Sequence, residues 1–154
     1  MAFFRRLTLL LVVFALPALA DDTTRKLRIA DADYTIALES LEIAIGNQGL
    51  NIAARHEAAK IMARTAEDLG HRPDILTNGE IVAFCSIRLG AMMTEEDPHN
   101  IVYCPMTIAV YQIPKDPNAV YLAWRHLPGD TPAINAVNTL VQTIVDETAE
   151  NSGL

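Results

Sequence analysis

Positive charge is scarce in this 154-residue chain, with 12 Lys and Arg against 19 Asp and Glu. Phosphate and anionic lipid surfaces are gripped by clustered Lys and Arg, so the composition points away from nucleic acid and acidic membranes as partners. The acidity fits a basic protein partner and equally serves solubility. Catalytic signatures are missing too. There is no phosphate loop and no dinucleotide fingerprint, and Ser86 has no Gly-x-Ser-x-Gly elbow around it. His56, His71, His99 and His126 are scattered without a His-x-x-x-His pair. The absence of Cys-x-x-Cys weakens a thioredoxin-like reading, and the absence of Cys-x-x-Cys-His excludes covalent c-type haem attachment by that motif. No repeat, low-complexity tract or charge block interrupts the chain, and no apolar run after residue 20 is long enough to span a bilayer. The balance leans away from an enzyme.

What is present starts at the amino terminus. Residues 1–20 combine Arg5 and Arg6, an apolar run over residues 7–16, Pro17, and the small-x-small sequence Ala18-Leu19-Ala20 before Asp21-Asp22. This is the layout of a secretory signal peptide cleaved after Ala20, which implies a periplasmic or secreted product with no membrane attachment after cleavage. All 19 acidic residues lie beyond residue 20, whereas two of the 12 basic ones precede it, so cleavage takes the formal charge from −7 to −9.

Beyond a polar, frayed stretch at 21–25, residues 26–150 read as one domain, with 151–154 as a tail. Alternation predicts a strand over 26–30, and Asp31 and Asp33 offer N-cap oxygens for a helix over 36–47 that buries Ala37, Leu38, Leu41, Ala44 and Ile45. Gly49 suits a left-handed cap. A strand over 50–55 and a weakly apolar helix over 58–69 follow, then an Asn78-Gly79 turn signal. A strand over 80–87 and a short helix over 88–96 come next. Residues 101–113 and 119–125 are strand-like and separated by the loop 114–118, far too short for a crossover, so they pair as an antiparallel hairpin. Thr131 caps a last helix with Pro132 at its first position and Ile134, Val137, Val141, Ile144 and Val145 as its apolar stripe. The result is an α+β fold, a mostly antiparallel sheet with helices on one face.

Cys85 and Cys104 are the residues with distinctive chemistry, and both fall on strands in this reading. In an oxidising compartment an even pair is first read as a disulfide, here closing a loop of ~20 residues and contributing roughly 3 kcal/mol. A reversible redox pair, or free thiols ligating metal or haem, remain open alternatives. Met92, Met93, His99, Cys104 and Met106 form a soft donor set suited to Cu(I), with Cys104 and Met106 on one face of a strand. Methionine as adaptable core filler explains the same residues. Asp97-Pro98-His99 places an imidazole near a carboxylate, as acid–base chemistry needs, and a local turn accounts for it equally.

Phe84-Cys85-Ser86, then Asp97-Pro98, then Tyr103-Cys104-Pro105-Met106-Thr107-Ile108-Ala109-Val110-Tyr111 resemble the bacterial family called domain of unknown function 302, in its exported two-cysteine type. Gly49-Leu50-Asn51-Ile52 is similar to the family's opening, and the resemblance spans roughly residues 26–126. Family members more often order the second motif Pro-Cys, whereas here Cys104 precedes Pro105. The resemblance implies a β-α-β(4)-α domain, here with an extra short helix, and a tendency to homodimerise. It implies no established reaction, and it places exported members beside respiratory or sulfur metabolism. The leading expectation is an exported, non-catalytic binding module for a protein or small-molecule partner, needing no cofactor. Its site would be Cys85, Cys104 and the 88–100 segment, with Arg88, Met92, Met93, His99 and Met106 as candidates. The alternative is a periplasmic thiol–disulfide or copper- or haem-handling protein using both cysteines.

Overall fold

In the computed structural model, which describes residues 23–153, five strands form one antiparallel sheet in the order β1-β5-β4-β3-β2. The strands are β1 (Thr24–Ala30), β2 (Ile52–His56), β3 (Asn78–Phe84), β4 (Met106–Gln112) and β5 (Ala119–Arg125). The helices are α1 (Tyr34–Asn47), α2 (Ala58–Leu69), α3 (Ile87–Glu96) and α4 (Pro132–Ser152), with a 3-10 helix at Pro98–Tyr103. The leader read in residues 1–20 lies outside the described residues.

Alternation along the strands sends one set of side chains into a single core. Val82 and Phe84 of β3, Ile108 and Val110 of β4, and Val120 and Leu122 of β5 are fully buried there. They meet Leu41, Ala44 and Ile45 of α1 and Val137, Ile144 and Val145 of α4, the apolar stripes expected from spacing. Each of these Val, Leu, Ile and Phe side chains contributes about 1.5–3 kcal/mol by leaving water. Asp33 caps α1 by accepting from the Thr35 and Ile36 N–H groups at 2.8 and 3.0 Å. Gly49, at φ +71°, turns the chain out of α1 so that Leu50 N–H reaches Ile45 O. Thr131 and Pro132 open α4 as their types require.

The α+β class holds, with α2 as the exception to a one-sided helical layer. Only Ala66 of α2 is buried. The helix rests on the far face of β3, where a cavity is lined by its Ala58 and Met62 together with Ile81, Ala109 and Tyr111. Those strand residues alternate with the core-facing Val82, Ile108 and Val110. Gly79 permits the approach, because a Cβ there would lie 3.0 Å from the Leu76 side chain and 3.5 Å from Ala59. Asn78 and Gly79 therefore belong to β3 rather than to a turn. The chain from Thr24 is ordered rather than frayed, since Thr24 pairs with Arg125 and Arg25 with Trp124. Among the described residues no helix is long and apolar enough to cross a membrane.

Candidate functional site

The two cysteines lie outside the strands, contrary to the sequence expectation, and local capping is the reason. Strand β3 ends at the fully buried Phe84. Cys85 follows, and Ser86 then turns the chain into α3 by accepting the Leu89 N–H on its Oγ at 3.4 Å. Leu89 and Met93, four residues apart, both bury into the core and fix the helix to it. At the other end Asp97 accepts the backbone N–H of His99 at 2.9 Å and starts the 3-10 helix, with Pro98 in its first turn. Asn100 Nδ2 donates to Met93 O at 3.1 Å, folding that helix back along α3. The chain then reaches Cys104, and the Cys85–Cys104 disulfide closes the ring with Cα atoms 6.1 Å apart.

Between α3 and the 3-10 helix this ring encloses an apolar groove of about 330 Å³. Both cysteines line it, with Ile87, Gly90, Ala91 and Ile101 as walls and Met93 beneath. Its two uncharged polar side chains each make one hydrogen bond to the backbone of α3. Thr94 Oγ1 donates to Gly90 O at 2.8 Å, and the Asn100 amide is held by Met93 O. No ionisable side chain lines the groove. Ile87 is 81% exposed, Ile101 66% and the neighbouring Val102 73%, so large apolar side chains stand in water around an apolar hollow. The base is firm. Glu96, at the end of α3, accepts from the Thr131 hydroxyl and from Ala133 N–H, tying α3 to the start of α4.

The sequence candidates separate on this geometry. Cys85, Cys104 and Met93 meet at the groove. Met92 packs against the core, Met106 is buried at the start of β4, and Arg88 and His99 are exposed. The copper set is not assembled: Cys104 is bonded to Cys85, Met106 points into the core, and Cys104 precedes β4 and so shares no strand face with Met106. The Asp97 carboxylate bonds the His99 backbone and not its ring, which makes that motif a cap. Among the described residues no three His, Cys, Asp or Glu side chains form a group able to hold a metal ion. Sequence reading included Gly90 and Ala91 within the 88–100 segment without singling them out, and missed Ile87 and Ile101 on either side of it. The signal available was Ser86 three residues before Leu89, an N-cap that starts α3 at Ile87.

Polar clusters lie elsewhere on the sheet. On its far face Arg28 Nε donates to Asp116 Oδ2 at 2.5 Å, and the Tyr121 hydroxyl donates to the same oxygen at 2.6 Å. Hydrogen bonds from Arg28 and then Tyr121 hold Asp116 down at about 2. Arg55 bridges Glu42 at 2.5 Å and Glu80 at 2.9 Å. Burial, then the nearby Glu80 charge, pushes Tyr34 up to about 12. A polar hollow of about 580 Å³ beside Tyr34 is bordered by Asp33, which caps α1, and by Asn78 and Gln112, which bond each other at 2.8 Å. Those groups are spent on structure.

Fold and site together define a small disulfide-braced α+β domain with an apolar groove at one end of its sheet. A family model described as domain of unknown function DUF302 matches residues 25–148, and the chain belongs to that family. The crystal structure of the uncharacterized conserved protein DUF302 from Bacillus stearothermophilus is similar, with a TM-score of 0.55 and 13% identity. That match covers 85% of this chain and 96% of the other, and at such identity it concerns the fold alone. No curated protein matches the chain.

Proposed function

We propose that this DUF302 domain is an exported accessory module that docks an apolar segment of a partner protein in the groove between α3 and the 3-10 helix. One observation carries the reading: Ile87 and Ile101 stand exposed on either side of an apolar hollow lined by no charged side chain. Covering such side chains gains about 25 cal/mol per Å² of apolar surface removed from water. The disulfide supports the site by holding both walls in place before binding, which lowers the ordering cost. Export rests on the signal-peptide pattern of residues 1–20 and agrees with a disulfide-forming compartment. A role beside respiratory or sulfur enzymes, as the family resemblance implies, makes the partner an exported protein of that kind.

The test uses the exported mature chain, whose amino terminus should be Asp21. A photo-crosslinking group placed at Ile101 and activated in periplasmic extract should give a discrete protein adduct that disappears with Ile87→Asp. The same group at Lys115, in the β4–β5 loop, should not give it. Equal adducts at both positions, or none at Ile101, would remove the groove from the account.

A further inference from the structure

We infer that the groove is a thiol–disulfide exchange site for a protein dithiol, with Cys104 as the sulfur attacked and Cys85 as the leaving thiolate. This rests on the reading of the groove as a docking site and adds the partner's chemistry to it. Both cysteines are only partly buried and line the groove wall, so a docked segment meets the disulfide itself. A buried structural bridge offers no such approach.

The two sulfurs differ in electrostatic setting. Cys85 directly precedes Ser86, the N-cap of the ten-residue helix α3. Ser86 takes up the Leu89 and Gly90 N–H groups, leaving those of Ile87 and Arg88 without a partner inside the helix. Arg88 adds a guanidinium in that first turn and enters no ion pair among the described residues. Cys104 occupies the opposite kind of position, the C-cap of the 3-10 helix, where carbonyl groups converge and its own N–H is given to Ile101 O at 3.2 Å. Negative charge is favoured at a helix amino terminus and disfavoured at a carbonyl end. The Cys85 thiolate is therefore the better leaving group, and exchange runs faster when the lower-pKa sulfur leaves.

The step balances. One thiol of the partner loses its proton to water, and its thiolate attacks Cys104 Sγ. The Cys85–Cys104 bond breaks with its electron pair on Cys85 Sγ, leaving a mixed disulfide on Cys104. The partner's second thiolate then attacks the partner's own sulfur in that mixed disulfide and expels Cys104 as a thiolate. Two electrons pass from the partner dithiol to this chain, and the two protons released by the partner are matched by those the Cys85 and Cys104 thiols take up.

Reduced glutathione is the probe, added to the oxidised full mature chain and quenched at intervals with iodoacetamide. Cys85 and Cys104 fall on different tryptic peptides, because Arg88 lies between them. The expected result is glutathione on Cys104 and the alkyl group on Cys85, with Arg88→Gln slowing formation of the adduct about two- to fivefold. In the fully reduced chain Cys85 should alkylate at lower pH than Cys104. A folded chain that stays oxidised in excess glutathione, glutathione on Cys85 instead, or Cys104 alkylating at the lower pH would overturn the proposal. Glutathione is too small to need the groove, so failure of exchange leaves the docking reading standing. Loss of the Ile101 crosslink with exchange intact removes docking alone.

Discussion

Removing the disulfide should destabilise the domain by an amount set by the length of chain it closes. Cys85 and Cys104 are 19 residues apart in sequence. The chain-entropy relation for a loop of that size gives about 3 kcal/mol, gained by restricting the unfolded chain. For a domain of this size that corresponds to a fall of roughly 10 °C in Tm. Cys85→Ala with Cys104→Ala is the cleaner perturbation, because serine would place a new hydroxyl against the apolar groove. Urea unfolding of the double variant beside the oxidised parent measures the effect. The midpoint should fall, and the denaturant slope should rise slightly, since the uncrosslinked unfolded chain exposes more surface. The folded variant should keep the buried anchors of α3, Leu89 and Met93, because they are held by the core rather than by the bridge. A loss below about 1 kcal/mol would refute the ring as a constraint on the unfolded chain. A loss far above about 5 kcal/mol would show that the bridge holds the core itself.

Three further outcomes follow from named contacts. Met93→Ala should cost about 2–5 kcal/mol in urea melts, since the side chain is 1% exposed, while Met93→Leu should cost under about 1.5 kcal/mol; copper in the purified parent that vanishes with Met93→Leu would restore the metal reading. Asp116 has its folded pKa lowered from 3.8 to about 2 by Arg28 and Tyr121, so its contribution to stability is full above the unfolded value and is lost as pH falls toward about 2. Asp116→Asn should flatten that part of the acid stability curve, and an unchanged curve would contradict the pairing. Tyr34 has its folded pKa raised from 10.0 to about 12, so its contribution is full below pH 10 and is lost as pH rises toward about 12. Ultraviolet titration of the tyrosines should show a step near 12 that Tyr34→Phe removes, and persistence of the step in the variant would assign it elsewhere.

The helices that build the core were legible because their apolar residues recur at three and four: Ala37, Leu38, Leu41 and Ala44 in α1, and Ile134, Val137, Val141 and Val145 in α4. The β4–β5 hairpin was legible because five residues admit no other connection. The stretch around the cysteines was misread for an equally physical reason. Ile87, Ile101 and Val102 are β-branched and match strand propensity, but Ser86 and Asp97 each offer an oxygen to free backbone N–H groups, and capping decided the local structure. The groove follows from that miss. Once Ile87 opens a helix and Ile101 sits in a 3-10 turn, neither has a sheet to cover it, and both stand exposed beside the disulfide. The segment that forms the groove was legible from the cysteines that frame it. Which side chains form its walls depends on two caps and on how α3 packs through Leu89 and Met93.

Amide hydrogen exchange of the mature chain, alone and bound to the protein crosslinked through Ile101, tests the docking site most directly. The account predicts new protection concentrated in residues 85–104, with the far face of the sheet around Tyr111 and Tyr121 unchanged. Protection on that far face, with residues 85–104 exchanging as in the free chain, would contradict it.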